Sequence, residues 1–213
     1  MEKTSKRERE KLCTEQKIIE AANLLFCQNG FENTSVDAIA KEADYTKRTI
    51  YKYFTCKEDL FFAVILKAYN DIEKYVNQNF SQTTTAFEKI SKFYHSFRQL
   101  SSSGSNLLKL MGMIQLAKNA KSNALMPYKE NFNSYNEVFF IELIDLFKEG
   151  KEDGSICSSF DSTKLAYSSF FTIVGFYLML STSGNSYTQN FKLDKDEFVD
   201  FTINFLMDSF KAN

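Results

Sequence analysis

The sequence predicts an all-α fold, and three observations carry that prediction. Apolar residues recur at three- and four-residue spacing along most of the chain, so each stretch presents one apolar face when helical. Seven Gly and one Pro in 213 residues are few chain-breakers, a composition that long helices tolerate and a turn-rich β protein does not. No segment sustains period-two alternation between turn signals.

The elements follow in order. Residues 1–12 are charged and are expected to fray; the helical pattern begins near Thr14, with Ile18, Ala22, Leu25 and Phe26 on one face. Gly30 is placed as a C-cap. Thr34 or Ser35 caps a short second helix with Asp37 near its positive end and Val36, Ile39, Ala40 and Ala43 inside. Asp44 and Tyr45 interrupt it. Thr46 caps a third short helix that buries Ile50 and Phe54. Thr55 and Glu58 form a T-x-x-E capping box opening a longer helix, and Thr85 with Glu88 opens another that carries Phe87, Ile90, Tyr94 and Phe97. The run at 101–105 breaks that helix, and an apolar, Met-rich stretch follows from Asn106 to Lys118. Pro127 suits the start of the next helix, with Phe132, Tyr135, Val138, Phe139 and Leu143 at helical spacing. Loops are expected at 149–155 and 183–190. Asp161 caps the apolar helix through Leu180, and Asp194 with Glu197 opens a last one bearing Phe198, Phe201, Phe205 and Phe210. The total is about nine helices.

Composition narrows the function. Hydrophobic residues at 44% and charged residues at 25% describe a globular chain, long enough for one large or two small domains. A net charge of −1 means that any nucleic-acid binding must rest on a local basic patch. Phe is abundant at 22, which suits either a packed core or an apolar cavity. Cys13, Cys27, Cys56 and Cys157 form no CxxC pair and read as reduced thiols in a cytoplasmic protein without a signal peptide. Leu165–Leu180 is the most apolar stretch, but it falls short of the roughly 20 residues of a membrane span, so a buried or dimer-facing helix is expected.

Three short helices within about forty residues, the last two joined by a tight turn, make a helix-turn-helix candidate. Ala40 lets the helices approach closely, with Ile39 and Ile50 as core. From Tyr45 to Lys57 the chain carries Lys47, Arg48, Lys52 and Lys57 and no acid, interleaved with Tyr51 and Tyr53 and with the hydroxyls of Thr46, Thr49 and Thr55. Cations of this kind neutralise phosphates and release counterions, hydroxyls donate to phosphate oxygens, and Lys47 or Arg48 can read guanine in a major groove. On charge alone, a merely solvated helix face explains them equally well.

The stretch 17–61 resembles the N-terminal domain of the TetR family of transcriptional regulators. The matching residues are Ala21-Ala22 and Phe26, Gly30-Phe31, Thr34-Ser35-Val36, Ile39-Ala40, Ala43, Tyr51, Phe54, Lys57-Glu58 and Leu60. The resemblance implies base-edge contacts from Lys47, Arg48 and Thr49 and phosphate contacts from Tyr51, Tyr53, Lys57 and Thr34 or Ser35. The chain departs from the family at Asp44, where Gly is usual, at Tyr45, which replaces a smaller aliphatic residue, and at Arg48, where Gly is common.

The resemblance further implies a DNA-binding domain over 1–60 and a helical domain over 61–213 that dimerises and senses a ligand. The helices at 161–182 and 194–211 are the expected dimer surface, four helices from two copies, which sets two recognition helices against a palindromic operator. Phe93, Phe97, Met111, Phe132, Tyr135, Phe139 and Phe171 are the apolar candidates for a ligand pocket, with Met113 beside them and His95, Gln115 or Asn136 as polar anchors; plain core is the competing reading. The expected ligand is small, largely apolar and not strongly anionic. No cofactor or metal site is expected. An enzyme would need a convergent acid–base or nucleophile set, and one His with no GxSxG, HExxH or Gly-rich phosphate loop argues against it. A helical adaptor that binds protein is disfavoured by the acid-free basic face. The expectation is a repressor released from its operator by ligand.

Overall fold

A capping box, rather than a frayed tail, opens the first helix in the computed structural model, which describes residues 5–79, 85–102, 107–119, 125–182 and 186–212. The Ser5 hydroxyl accepts from the Glu8 amide, and the Glu8 carboxylate accepts from the Ser5 amide at 2.7 Å, so two helix-end donors are satisfied at once. Among the described residues the helices are α1 (Lys6–Asn29), α2 (Val36–Glu42), α3 (Lys47–Tyr53), α4 (Lys57–Asn79), α5 (Ala86–Ser102), α6 (Leu107–Asn119), α7 (Pro127–Glu152), α8 (Ser162–Thr182), α9 (Ser186–Asn190) and α10 (Lys195–Asp208). The fold is all-α as the sequence predicts. The described residues contain no strand, only a bridge between Ile156 and Lys211.

The chain divides into two units: Met1–Ala68 with Leu110–Asn133, and Tyr69–Lys109 with Ser134–Asn213. In the first, Ile18, Ala22, Phe26, Ile39 and Ile50 are fully or almost fully buried, as their spacing on three short stripes requires. Phe26, Phe31 and Phe61 pack mutually with centroids 5.2–5.7 Å apart, two of the three pairs edge-on, the arrangement that ring quadrupoles favour. Gly30 takes φ 82° and donates its amide to Phe26 O, which ends α1. Asp44 adopts φ 59°, the left-handed turn conformation, at a cost on the order of 1 kcal/mol for a residue with a Cβ. That turn lets the Tyr45 amide bond Ala40 O at 2.9 Å and redirects the chain into α3. Phe132 packs its ring on Phe62 at 5.1 Å, and Tyr128 packs on Phe54 at 5.5 Å.

In the second unit, Phe93, Phe97, Phe139 and Phe170 form a chain of ring contacts 5.1–6.4 Å apart. Buried Tyr94 and Ser169 share a 2.6 Å hydrogen bond between α5 and α8. Asp153 accepts from the Ala86 amide at 2.8 Å, and the Ser155 hydroxyl accepts from the Phe87 amide, so the turn after α7 caps the start of α5. Phe210 packs on Phe147 and Phe87.

The structure moves several sequence-based boundaries. Thr55 bonds the Asp59 carboxylate through both its amide and its hydroxyl, and α4 starts at Lys57, beyond the expected cap. Four of the seven residues of the expected loop at 149–155 are helical, because α7 continues to Glu152. Gly150 lets Ile156 pack closely on this last turn: a Cβ there would stand 2.4 Å from Ile156 Cδ1. The expected loop at 183–190 contains α9; its residues 183–185, and residues 103–105 of the expected break, lie outside the described residues. The apolar helix α8 spans 21 residues behind its Asp161 cap, matching the expected helix at 161–182, and is long enough to cross a membrane by length and composition. Its Ser169 hydroxyl bonds Tyr94, and Ala166, Ile173 and Tyr177 are buried, so one face of α8 is core.

Candidate nucleic-acid interface

Helix α3 is held by one side and leaves the other free. Ile50 is buried and anchors it, while Thr46 caps it by accepting from the Thr49 amide at 3.2 Å. With Ile50 inward, Lys47, Arg48, Tyr51 and Lys52 fall outward and are exposed. Tyr51 is 49% exposed, an unusual amount for so large an aromatic with no role in packing. No acid follows Asp44 until Glu58, so this outward arc carries only positive charge of its own.

One carboxylate does reach it from α2. Asp37 Oδ2 lies 2.7 Å from Lys47 Nζ, and this hydrogen bond and charge hold the Lys47 ammonium above its ordinary value. Both groups are exposed, so the pair adds little stability; its effect is to orient Lys47. Asp37, which the sequence marks only as a helix-dipole partner, thus touches the outward arc of α3 through Lys47. Arg48 has no carboxylate partner among the described residues.

The remaining interface candidates divide by burial. Ser35 is exposed and caps α2 by accepting from the Ala38 amide, which leaves its O–H to donate outward. Thr34 is 2% exposed, and its hydroxyl donates to Gly30 O and Leu25 O. Of the two alternatives, therefore, only Ser35 is open to a phosphate; Thr34 closes the corner between α1 and α2. Thr49 and Tyr53 are half-buried on the flanks of α3. Lys57 departs from the expected open cation. Its ammonium donates to Phe31 O at 2.9 Å and Thr34 O at 3.1 Å and sits 4.3 Å above the Phe31 ring. It straps the α1–α2 loop to α4, with one of its three donors left over.

The expected pocket residues are divided between the two units. Phe132, half-buried Met111 and exposed Gln115 belong to the first unit, and the others to the second. Phe93, Phe97 and Phe139 do come together, in the ring chain described above. His95 instead turns to α10, with Nε2 3.2 Å from Asn204 Oδ1 and Nδ1 3.8 Å from Asp200 Oδ1. Phe171 is 60% exposed on the outer side of α8. Tyr135 packs on Tyr69 at 5.3 Å beside half-buried Asn136; burial, with the nearby Glu73 and Glu142 carboxylates, pushes its phenol up to about 12. Helical periodicity marks these residues as inward-facing without saying which neighbour each one meets.

Residues 18–64 match the family model described as bacterial regulatory proteins, tetR family. An HTH-type transcriptional regulator from Staphylococcus aureus (strain MRSA252) is 32% identical over 155 residues, which is 70% of this chain and 74% of the relative. Among solved structures, FadR from Bacillus subtilis in complex with stearoyl-CoA is similar with a TM-score of 0.68 at 22% identity, over 91% of this chain and 95% of its own. AibR in complex with isovaleryl coenzyme A and operator DNA is similar with a TM-score of 0.65 at 20% identity, over 91% and 98%.

Proposed function

Because the chain belongs to the TetR family of bacterial regulatory proteins, and is therefore a DNA-binding transcriptional regulator, we propose that it is a repressor released from a palindromic operator by a small, largely apolar ligand. The observation that carries this reading is the outward arc of α3, where Lys47, Arg48, Tyr51 and Lys52 are exposed with Ile50 as anchor. Cations supply salt-dependent affinity, Tyr51 and Ser35 hydroxyls fix register on phosphates, and Arg48 reads a base edge. Thr46 and Thr49 flank this arc at its start, and residues 1–60 supply the whole DNA-contacting surface of this reading.

Two copies pair through α8 and α10, whose Tyr167, Phe171, Met179, Phe201 and Phe205 are exposed on the single chain. A two-fold pair spaces two α3 helices about 34–36 Å apart, one turn of duplex. The ring chain of Phe93, Phe97 and Phe139 supports an apolar ligand, and the two structural neighbours solved with acyl-coenzyme A esters favour one with an acyl portion. Ligand acts by favouring one dimer conformation over another. Residues 61–213 carry both tasks, and the protein works in the cytoplasm.

The test is retention of genomic fragments by the pure protein, followed by affinity against salt on a retained fragment. Arg48→Ala with Lys52→Ala is expected to lower the slope of log K against log salt by about 0.9, as for the phosphate-neutralising charge of Lys52, and to relax base preference through the loss of Arg48. Titrating acyl compounds of increasing chain length into the complex, as uncharged short esters and as coenzyme A esters, is expected to release DNA. Release by the coenzyme A esters alone corrects the small apolar ligand of this reading. Retention no better than that of random duplex overturns the reading.

A further inference from the structure

Helix α1 starts a full three turns before its first buried residue, Ile18, and residues 5–13 are all exposed. The Ser5–Glu8 capping box holds those turns helical, although they bury nothing that explains them. We propose that they form a second DNA contact, in which Arg7 and Lys11 neutralise phosphates flanking the bases met by α3. This rests on the reading of α3 as the DNA-binding helix.

Register and direction carry the inference. Arg7, Lys11, Thr14, Ile18 and Ala22 lie at i, i+4, i+7, i+11 and i+15, one continuous stripe along α1. Ile18 and Ala22 on that stripe are fully buried in the helix-turn-helix core. Thr14 comes next, and its hydroxyl receives the Tyr45 O–H at 3.5 Å, immediately before the N-cap of α3. Beyond Thr14, therefore, the stripe runs out past the start of α3, with Lys11 about 4.5 Å and Arg7 about 10.5 Å further along the axis. Of the neighbouring acids, Glu8 is taken up in capping Ser5 and Glu15, four residues after Lys11, in accepting from the Tyr128 hydroxyl; Glu10 borders the stripe. Two like charges four residues apart on an exposed helix repel, and neither has a carboxylate partner among the described residues. A polyanion passing the start of α3 reverses the sign of that interaction.

The experiment measures affinity of the full chain against salt on two duplexes, a retained genomic fragment and the same site trimmed of its flanks. Arg7→Ala with Lys11→Ala is expected to lower the slope by about 1.8 on the long duplex and to leave the trimmed one unchanged. Base preference should stay as in the wild type. Ser5→Ala, which removes the cap, is expected to lower the slope partway. An unchanged slope for the double variant on the long duplex overturns the proposal. The Arg48→Ala, Lys52→Ala variant, run alongside, separates this failure from failure of α3 itself. If that variant also matches wild type, the DNA surface is misplaced altogether.

Discussion

The Tyr128 amide donates to Asp59 Oδ1 at 2.9 Å, tying the first turn of α7 to the first turn of α4. Asp59 is 1% exposed, and its other oxygen accepts from the amide and the hydroxyl of Thr55, two residues after α3 ends. Tyr128 also donates its O–H to Glu15 of α1 and packs its ring on Phe54. One buried carboxylate and one tyrosine thus connect α1, the exit of α3, α4 and α7.

Asp59→Ala takes the acceptor from the half-buried Tyr128 amide and from the exposed Thr55 amide, and is expected to cost about 1–3 kcal/mol, most of it at Tyr128. Asp59→Asn retains one acceptor oxygen and should lose roughly half as much. Tyr128→Phe keeps the ring and removes one charge-assisted bond, which is expected to lower stability by about 1.5–3 kcal/mol. Urea denaturation of the three variants checks the order Ala, then Asn and Phe. Equal midpoints for Asp59→Ala and wild type would mean that the amides find other partners.

Gly150 offers a second stability test, with opposite signs in two backgrounds. In wild type, Gly150→Ala drives a Cβ into Ile156 Cδ1 and Cγ1, and the branched Ile side chain yields poorly. Overpacking of this kind costs about 1–3 kcal/mol, against about 1 kcal/mol gained from the better helix former. With Ile156 cut to Ala the Cδ1 and Cγ1 contacts go and only a 3.2 Å Cβ contact remains, so the helix-propensity gain should outweigh the residual strain and the same substitution should stabilise. A double-mutant cycle by thermal unfolding reads the coupling directly.

What could be read from sequence was local. Ser35, Thr46, Asp194 and Gly30 cap as expected because each cap bonds within four residues. The Ser5–Glu8 box was equally local but was masked by the charge around it. Nonlocal closure was not legible. Thr34 is buried because its hydroxyl meets Leu25 O at the α1–α2 corner, and Lys57 reaches a carbonyl 26 residues back. Nothing in their neighbours distinguishes such side chains from phosphate ligands. Phe132 shows the same limit in the core: its stripe is apolar, but only the packing of α4 on α7 pairs it with Phe62.

The cap between the α7 turn and α5 should weaken in acid. Burial pulls the Asp153 carboxyl upward, but hydrogen bonds from the Ser155 side chain and from the Ala86 and Ser155 amides outweigh it, leaving the folded value below ordinary. A depressed folded value contributes stability above the unfolded carboxyl range, about pH 4, and loses it as pH falls through the folded value. Asp153→Asn should therefore lower the melting temperature near neutrality and narrow the gap to wild type below about pH 4. A constant gap from pH 7 to pH 3 would remove Asp153 from the account.

The outer faces of α8 and α10 give the sharpest assembly test. Phe171, Phe201 and Phe205 are 60%, 65% and 69% exposed, and the last two rings stack at 6.2 Å. Burying such a side chain contributes about 1.5–3 kcal/mol, so a few of them on each copy favour association strongly. Phe171→Glu with Phe205→Glu sets like charges across the proposed α8–α10 pairing while leaving the core residues Ile173, Val199 and Ile203 in place. Sedimentation should then show a folded monomer of 24.7 kDa. Operator affinity should collapse toward that of a single head, because two α3 helices no longer bind as one. A variant that stays dimeric would shift the interface elsewhere, and the exposed Val138 and Ile141 of α7 mark the next face to charge.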